Sequence, residues 1–403
     1  MLHKTHTHVL EEAMEKNKVA VTLGPGNIVI QDMPYPKLQK GGAILRNKLC
    51  GVCGTDKHTY RGETTQFAGT NLEYTIQFPL HQGHEAFSII EEIDEEGSKT
   101  LSYDHEELHV GDRVTFSPVI VCGSCFWCRH ASWYTWCEGE GRGVYGNNGG
   151  IINGDHAPDE IYGAFSRFMT IRPGSYLFKL PDELPDELAC LVEIMTVTYV
   201  FDTAMNTNSF HMDGLPFGAT VVIQGAGPIG LAHVIKARML GVKTIIVTDK
   251  SEYKLKLAKE FGADYTLNVT TTEEKDRIDF VKSRTRGLGA DVVVECTGVP
   301  AVVSEGLEYL RKCGTYLEPG MFAEVGNSSI NMHKVCSKNL RIIGMTENAL
   351  PGYRATMDMM VKHLNDFPWL KYFTHRFPQD QINEAVKFSM TDDCNKVLIE
   401  PWK

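Results

Sequence analysis

Apolar and polar positions divide the chain into two regimes. Residues 19–21, 43–49, 85–93, 113–116 and 165–171 are short β-rich runs separated by Gly and Pro turns, which predicts a β-dominated domain. A Pro- and acid-rich segment, 181–186, leads into a helical stretch over 188–204, and beyond it the pattern changes. From Thr220 onward continuous Val/Ile runs alternate with helical windows: Val221-Val222-Ile223, then Thr244-Ile245-Ile246-Val247, then Val292-Val293-Val294. Strands that are apolar on both faces and separated by helices predict a parallel sheet covered on both sides. A last strand near 340–343 closes this unit, and 346–403 is expected to pack back on the first domain. The acidic stretch 94–109 reads as a long surface insertion, and the first residues as a frayed extension.

The length, 403 residues, suits two domains in one chain. The expected division is an extension over 1–17, a first domain from 18–194 joined by 346–403, and a nucleotide-type domain over 195–345. A net charge of −11 without a Lys/Arg run argues against a nucleic-acid partner. No apolar run approaches the roughly 20 residues of a membrane span, and the first 18 residues lack the apolar stretch of a secretory signal. Four of the eleven Cys crowd into 122–137, a spacing that favours metal over cross-links and points to a reducing cytoplasm.

Gly225-Ala226-Gly227-Pro228-Ile229-Gly230 follows a predicted strand and opens a helix, the setting in which G-x-G-x-x-G binds a dinucleotide. Gly225 permits the tight turn, Gly227 a close approach of the pyrophosphate, and Gly230 close packing of helix on strand, while the helix amides attract the anion. Asp249, nineteen residues after Gly230, ends the next strand. Its carboxylate is expected on the adenosine ribose hydroxyls and repels a 2′-phosphate, so NAD is favoured over NADP; Lys250 and Lys254 work against that preference. Thr297, in Glu295-Cys296-Thr297-Gly298, should lie on the nicotinamide side, with Cys296 as a small buried apolar residue.

Cys122, Cys125, Cys128 and Cys137 can close a tetrahedral thiolate shell, which leaves no open position and makes a zinc there structural. Disulfides are the alternative. A second metal set has to be assembled from separate segments: Cys53 in Gly51-Val52-Cys53-Gly54-Thr55-Asp56-Lys57-His58, and His84-Glu85 after Gly83. A thiolate, an imidazole and a carboxylate make a suitable catalytic zinc site with one position left open.

Taken in order, these motifs resemble the zinc-containing medium-chain dehydrogenases, over the chain from about Lys18 to its end. The resemblance implies an α/β plus β fold: a GroES-like catalytic domain in two sequence parts flanking a Rossmann domain, with the active site in the cleft between them. It implies Cys53 and His84 as catalytic zinc ligands. Alcohol dehydrogenases carry a third Cys ligand where this chain has Glu193, and that Glu resembles the sorbitol, polyol and threonine dehydrogenase branch, so that Glu85 and Glu193 are both candidates for completing the shell. It further implies Asp56 as the support of the ligand imidazole, and Thr55 and His58 as a proton relay. Two departures stand out. Eight residues separate Cys128 from Cys137 where the family has seven, and Ile194 follows Glu193 where polyol relatives have Pro.

The implied activity is reversible hydride transfer from a secondary alcohol or polyol to NAD, giving a ketone or aldehyde. Alternatives on the same scaffold are oxidation of threonine, of a phosphorylated polyol or of a glutathione-linked aldehyde adduct; a zinc- and NAD-binding protein without catalysis is a further one. A small-molecule substrate and a homodimer or homotetramer are expected.

Overall fold

The computed structural model describes residues 16–130, 135–147, 160–206, 215–321, 323–346 and 348–403. Most of the expected N-terminal extension lies outside these residues, but its last position does not. Asn17 is fully buried in the first strand, its side chain bonded to both Phe168 main-chain groups.

The chain begins with β1 (Asn17–Gly24) and β2 (Asn27–Met33), an antiparallel pair. β3 (Ala43–Gly51) runs into helix α1 (Gly54–Arg61), and after a long connection come β4 (Glu85–Ile93), β5 (Arg113–Phe116), β6 (Phe168–Ile171) and β7 (Leu177–Lys179). A run of short helical turns follows, of which α2 (Val192–Thr196) is buried at every residue.

The second sheet then forms: β8 (Thr220–Gln224), helix α3 (Pro228–Met239), β9 (Thr244–Asp249), helix α4 (Glu252–Glu260), β10 (Tyr265–Asn268), β11 (Ala290–Glu295), β12 (Leu310–Glu318) and β13 (Arg341–Gly344). Helix α5 (Leu350–Lys362) leads to β14 (Phe373–Pro378) and β15 (Lys396–Glu400), which rejoin the first sheet.

The first sheet has seven strands in the order β7-β5-β4-β3-β15-β14, with β6 also paired to β3. β15 pairs with β3 through Leu398↔Gly51 and Ile399↔Cys50, so the last residues of the chain are inserted beside the first strands. The second sheet is parallel, in the order β10-β9-β8-β11-β12-β13. Written in chain order this is 3-2-1-4-5-6, the doubly wound arrangement of dinucleotide-binding folds. Val221, Val222, Ile223, Val292, Val293 and Val294 are all fully buried, because helices cover both faces of these strands. The order reverses between β8 and β11, opening a crevice at their C-terminal ends. One apolar cluster joins Leu49 and Phe87 of the first sheet to Val221, Leu317 and Tyr353, so a common core passes beneath the cleft.

The stretch 94–109 departs from the expected surface insertion. Asp94 caps a short helix, Glu95–Thr100, by accepting from the Glu96 amide, and Leu101 and Leu108 are fully buried. Two apolar residues flanking a polar turn anchor the segment as part of the core. Among the described residues no helix is long and apolar enough to cross a membrane.

Candidate active site

Cys53 caps α1, and Asp56 in its first turn accepts from the Cys53 amide at 2.8 Å, which fixes the entry of the helix. Thr55 then projects toward the start of β4, with Oγ1 3.4 Å from His84 Nε2. Gly83 is required there: it has φ 95°, and a Cβ would sit 2.8 Å from the Phe165 amide nitrogen. The Cys53 thiol hydrogen-bonds the His84 imidazole, while His84 Nδ1 is buried with no hydrogen-bond partner. Burial disfavours a charge on His84, but Cys53, Asp56 and Glu193 together outweigh it and hold its pKa well above the ordinary value.

The two glutamates occupy different environments. Glu85 pairs across the sheet with Gly51, and any side chain at 51 would overlap its carboxylate. Its Oε2 forms an ion pair with Lys396 Nζ, and both side chains are almost completely buried, at 1% and 2% exposure. Lys396 also donates to the Val52 carbonyl at 3.0 Å. Burial pushes the Glu85 carboxyl up, but the Lys396 ammonium and His84 pull it below the ordinary range.

Glu193, on buried α2, has no such partner. Its Oε1 accepts from Asn348 Nδ2 at 2.8 Å, and burial, reinforced by Glu85, pushes it up to about 7 against the pull of His84. Lys396 and Asn348 carry no local motif; they stand 311 and 155 residues from their partners. The set Cys53, His84 and Glu193 fits a divalent zinc ion: a soft sulfur, an imidazole with an orphaned nitrogen and a buried carboxylate with no direct ion pair among the described residues. The ligand atoms of the four cysteines, by themselves, all lie within 4.8 Å of one another.

Thr55 and Asp56 both reach this group, Asp56 being buried and also 3.3 Å from Gln82 Nε2. His58 lies further along α1, where Nδ1 is paired with Glu63 and lies 3.1 Å from Arg61 Nη2. Burial lowers its pKa more than Glu63 raises it, so the imidazole is neutral at pH 7.

The four-cysteine lobe is a compact thiol cluster with no disulfide among the described cysteines. Cys125 and Cys128 sulfurs lie 3.4 Å apart, Cys122 and Cys128 3.9 Å, and the Cys122 amide points at Cys137 Sγ from 3.3 Å. Amides of Ser124 and Cys125 point at Cys122 Sγ and hold that thiol down to about 6. A Cβ at Gly139 would overlap Cys122 Sγ, so the chain passes tight against the cluster just after Cys137.

In the crevice of the second sheet, Gly225 has φ 97° and lies against Thr297, where a Cβ would come within 2.9 Å of the methyl. A Cβ at Gly230 would overlap the Gly225 carbonyl. The missing side chain of Gly227 faces open space, the cradle a pyrophosphate requires. Pro228 and Ile229 open α3. Asp249 accepts from the Ala226 amide at 2.7 Å and the Ser251 amide at 2.8 Å, so it stands at the turn, and Lys254 follows in the first turn of α4. Thr297 donates to Glu295 from its amide at 2.6 Å and also from its hydroxyl. Cys296 has its sulfur 3.7 Å from His233 Nδ1, and burial pushes its thiol well up, which makes it an unreactive packing residue.

Two family models cover more than half of the chain: the alcohol dehydrogenase GroES-like domain over residues 39–182 and the zinc-binding dehydrogenase domain over 228–364. The chain is 29% identical over 389 residues to 5-exo-hydroxycamphor dehydrogenase of Pseudomonas putida, covering 96% of this chain and 99% of that protein. It is also 29% identical over 383 residues to sorbitol dehydrogenase of Halalkalibacterium halodurans, covering 94% and 97%. A solved alcohol dehydrogenase from Thermotoga maritima superposes with a TM-score of 0.82 at 27% identity, over 96% of this chain and 100% of that one. With this fold, the chain belongs to the zinc-containing medium-chain alcohol dehydrogenases, oxidoreductases that use zinc and a nicotinamide dinucleotide.

Proposed function

We propose that the protein oxidises a secondary alcohol or polyol reversibly with NAD, using Cys53, His84 and Glu193 to hold the catalytic zinc. The observation that carries this ligand set is the buried Glu85–Lys396 ion pair: Glu85 is held directly by an ammonium, whereas Glu193 is held by the neutral Asn348 amide and feels His84 only at a distance. Zinc in that set supplies Lewis acidity toward the substrate oxygen, and the dinucleotide supplies the hydride acceptor. Asp56 acts on His84 through its charge and restrains Cys53 through its amide. Thr55, beside His84, takes the hydroxyl proton, and neutral His58 receives it near the surface, where Glu63 fixes its ring. Residues 225–230 cradle the pyrophosphate, Asp249 meets the adenosine ribose, and Thr297 borders the nicotinamide side.

Cys122, Cys125, Cys128 and Cys137 hold a second, structural zinc. Of the division into an N-terminal extension, a catalytic domain of 18–194 and 346–403 and a cofactor domain of 195–345, the return of β14 and β15 to the first sheet supports the assignment of the C-terminal part, while the first strand already begins at Asn17. The hydroxycamphor and sorbitol of the relatives' names carry secondary hydroxyls, which favours that substrate class. The free cysteines suit the reducing cytoplasm. The open edge of β13, where Ile342 is 42% exposed, supports a homo-oligomer, which light scattering checks.

Metal analysis and NADH formation test the reading together, on purified Cys53→Ser and Glu193→Gln against Glu85→Gln and the parent. Substrates are secondary alcohols, sugar polyols and threonine. Cys53→Ser and Glu193→Gln should each lose one zinc per chain and all turnover while keeping the other zinc. Full metal and activity in Glu193→Gln, with loss in Glu85→Gln, would reverse the assignment of the two glutamates.

A further inference from the structure

Two cations, Lys250 and Lys254, follow Asp249 at the rim of the ribose site. Cations there attract a 2′-phosphate and Asp249 repels one, so the local sequence sends opposing signals. The fold adds a fourth charge from the far end of the chain. Asp392 Oδ1 lies 2.9 Å from Lys250 Nζ. The contact belongs to a latch: Ser251 Oγ donates to the Asp392 carbonyl at 2.9 Å, and the Ser251 amide donates to Asp249. Lys250 holds the Asp392 carboxyl below its ordinary range by hydrogen bonding, and Lys254 adds to this from the first turn of α4. Side-chain exposures of 63% and 54% make this pair a negligible source of stability, so its consequence is for the charge of the rim.

We infer that Asp392 is a cofactor-specificity residue, which neutralises Lys250 at the ribose rim and, with Asp249, disfavours a dinucleotide carrying a 2′-phosphate. This rests on reading residues 225–230 and Asp249 as the dinucleotide site. The geometry accounts for how a chain with two lysines beside its ribose acid retains a preference for NAD. Lys250 is engaged from outside the nucleotide fold, by the turn between the helix Ile382–Ser389 and β15. Removing the Asp392 charge frees Lys250 to meet a phosphate by a charge-assisted hydrogen bond.

The test measures Kd for NADH and for NADPH from nicotinamide fluorescence, on the full-length zinc-loaded protein. The proteins are the parent, Asp392→Asn and the double variant Lys250→Gln/Asp392→Asn, with circular dichroism confirming the fold of each. Loss of an acid tightens any dinucleotide anion, so the ratio of the two constants is the readout. The parent should bind NADH more tightly. Asp392→Asn should move the ratio toward NADPH by about five- to tenfold at low salt and by less in concentrated salt. The double variant should return it close to the parent's. An Asp392→Asn ratio within about twofold of the parent, beyond the effect of salt screening, overturns the role of Asp392 alone. A parent that prefers NADPH overturns the reading of Asp249 as well.

Discussion

Replacing Lys396 by Met removes the one ammonium ion-paired with Glu85 among the described residues and leaves a carboxylate at 1% exposure with only the weaker pull of His84. Met fills a similar volume, so the change in packing is small and the electrostatic effect dominates. Breaking a buried pair from one side costs about 3–5 kcal/mol, since the desolvated survivor must carry its charge alone or take up a proton. The Val52 carbonyl loses its donor as well, at about 1 kcal/mol. For a catalytic domain of this size the expected fall in its unfolding midpoint is on the order of 10 °C. The pair also sets a pH window. Glu85 is depressed, so its contribution is complete above the ordinary carboxylate range and lost as pH falls through its folded value. Lys396 is raised, so its contribution is complete below the ordinary lysine range and lost as pH rises through its folded value. Differential scanning calorimetry at neutral pH, with zinc quantified on the same samples, measures both effects. Both zinc ions should remain. A midpoint within a degree or two of the parent, accompanied by loss of one zinc, would refute the reasoning: Glu85 would then be a ligand whose partner hardly matters.

Gly139→Ala places a methyl group on Cys122 Sγ, and the four-cysteine lobe should then lose its zinc while the catalytic metal stays; cobalt substitution and absorption spectroscopy would show which site emptied. Glu318, half-buried and hydrogen-bonded to Glu295 at the ends of β12 and β11, is pushed up to about 8 by desolvation and then by Glu295. The folded protein therefore holds a proton that the unfolded chain releases near 4.5, and stability declines as pH climbs through that interval to beyond 8. Glu318→Gln keeps a donor for Glu295 without the titration, so its melting temperature should stay flatter than the parent's between pH 7 and 9. Parallel curves would mean that the two carboxyls do not share a proton.

Some of this protein follows from local sequence alone. The apolar runs at 221–223, 244–247 and 292–294 fix buried parallel strands, because both faces of each strand need covering. The glycines at 225 and 230 leave little choice, since any side chain there would meet Thr297 or the Gly225 carbonyl. Four cysteines within sixteen residues could converge through a short loop with no help from the remainder of the chain. Other features needed contacts that no local window contains. Asp94 to Leu108 reads as acidic and exposed, yet a capped turn and two apolar anchors draw it into the core. Glu85 and Glu193 are equivalent candidates as letters in a sequence. Tertiary structure separates them by delivering Lys396 from the last strand to one and Asn348 to the other. A buried carboxylate takes its character from its nearest countercharge, and that charge arrives by folding, from hundreds of residues away.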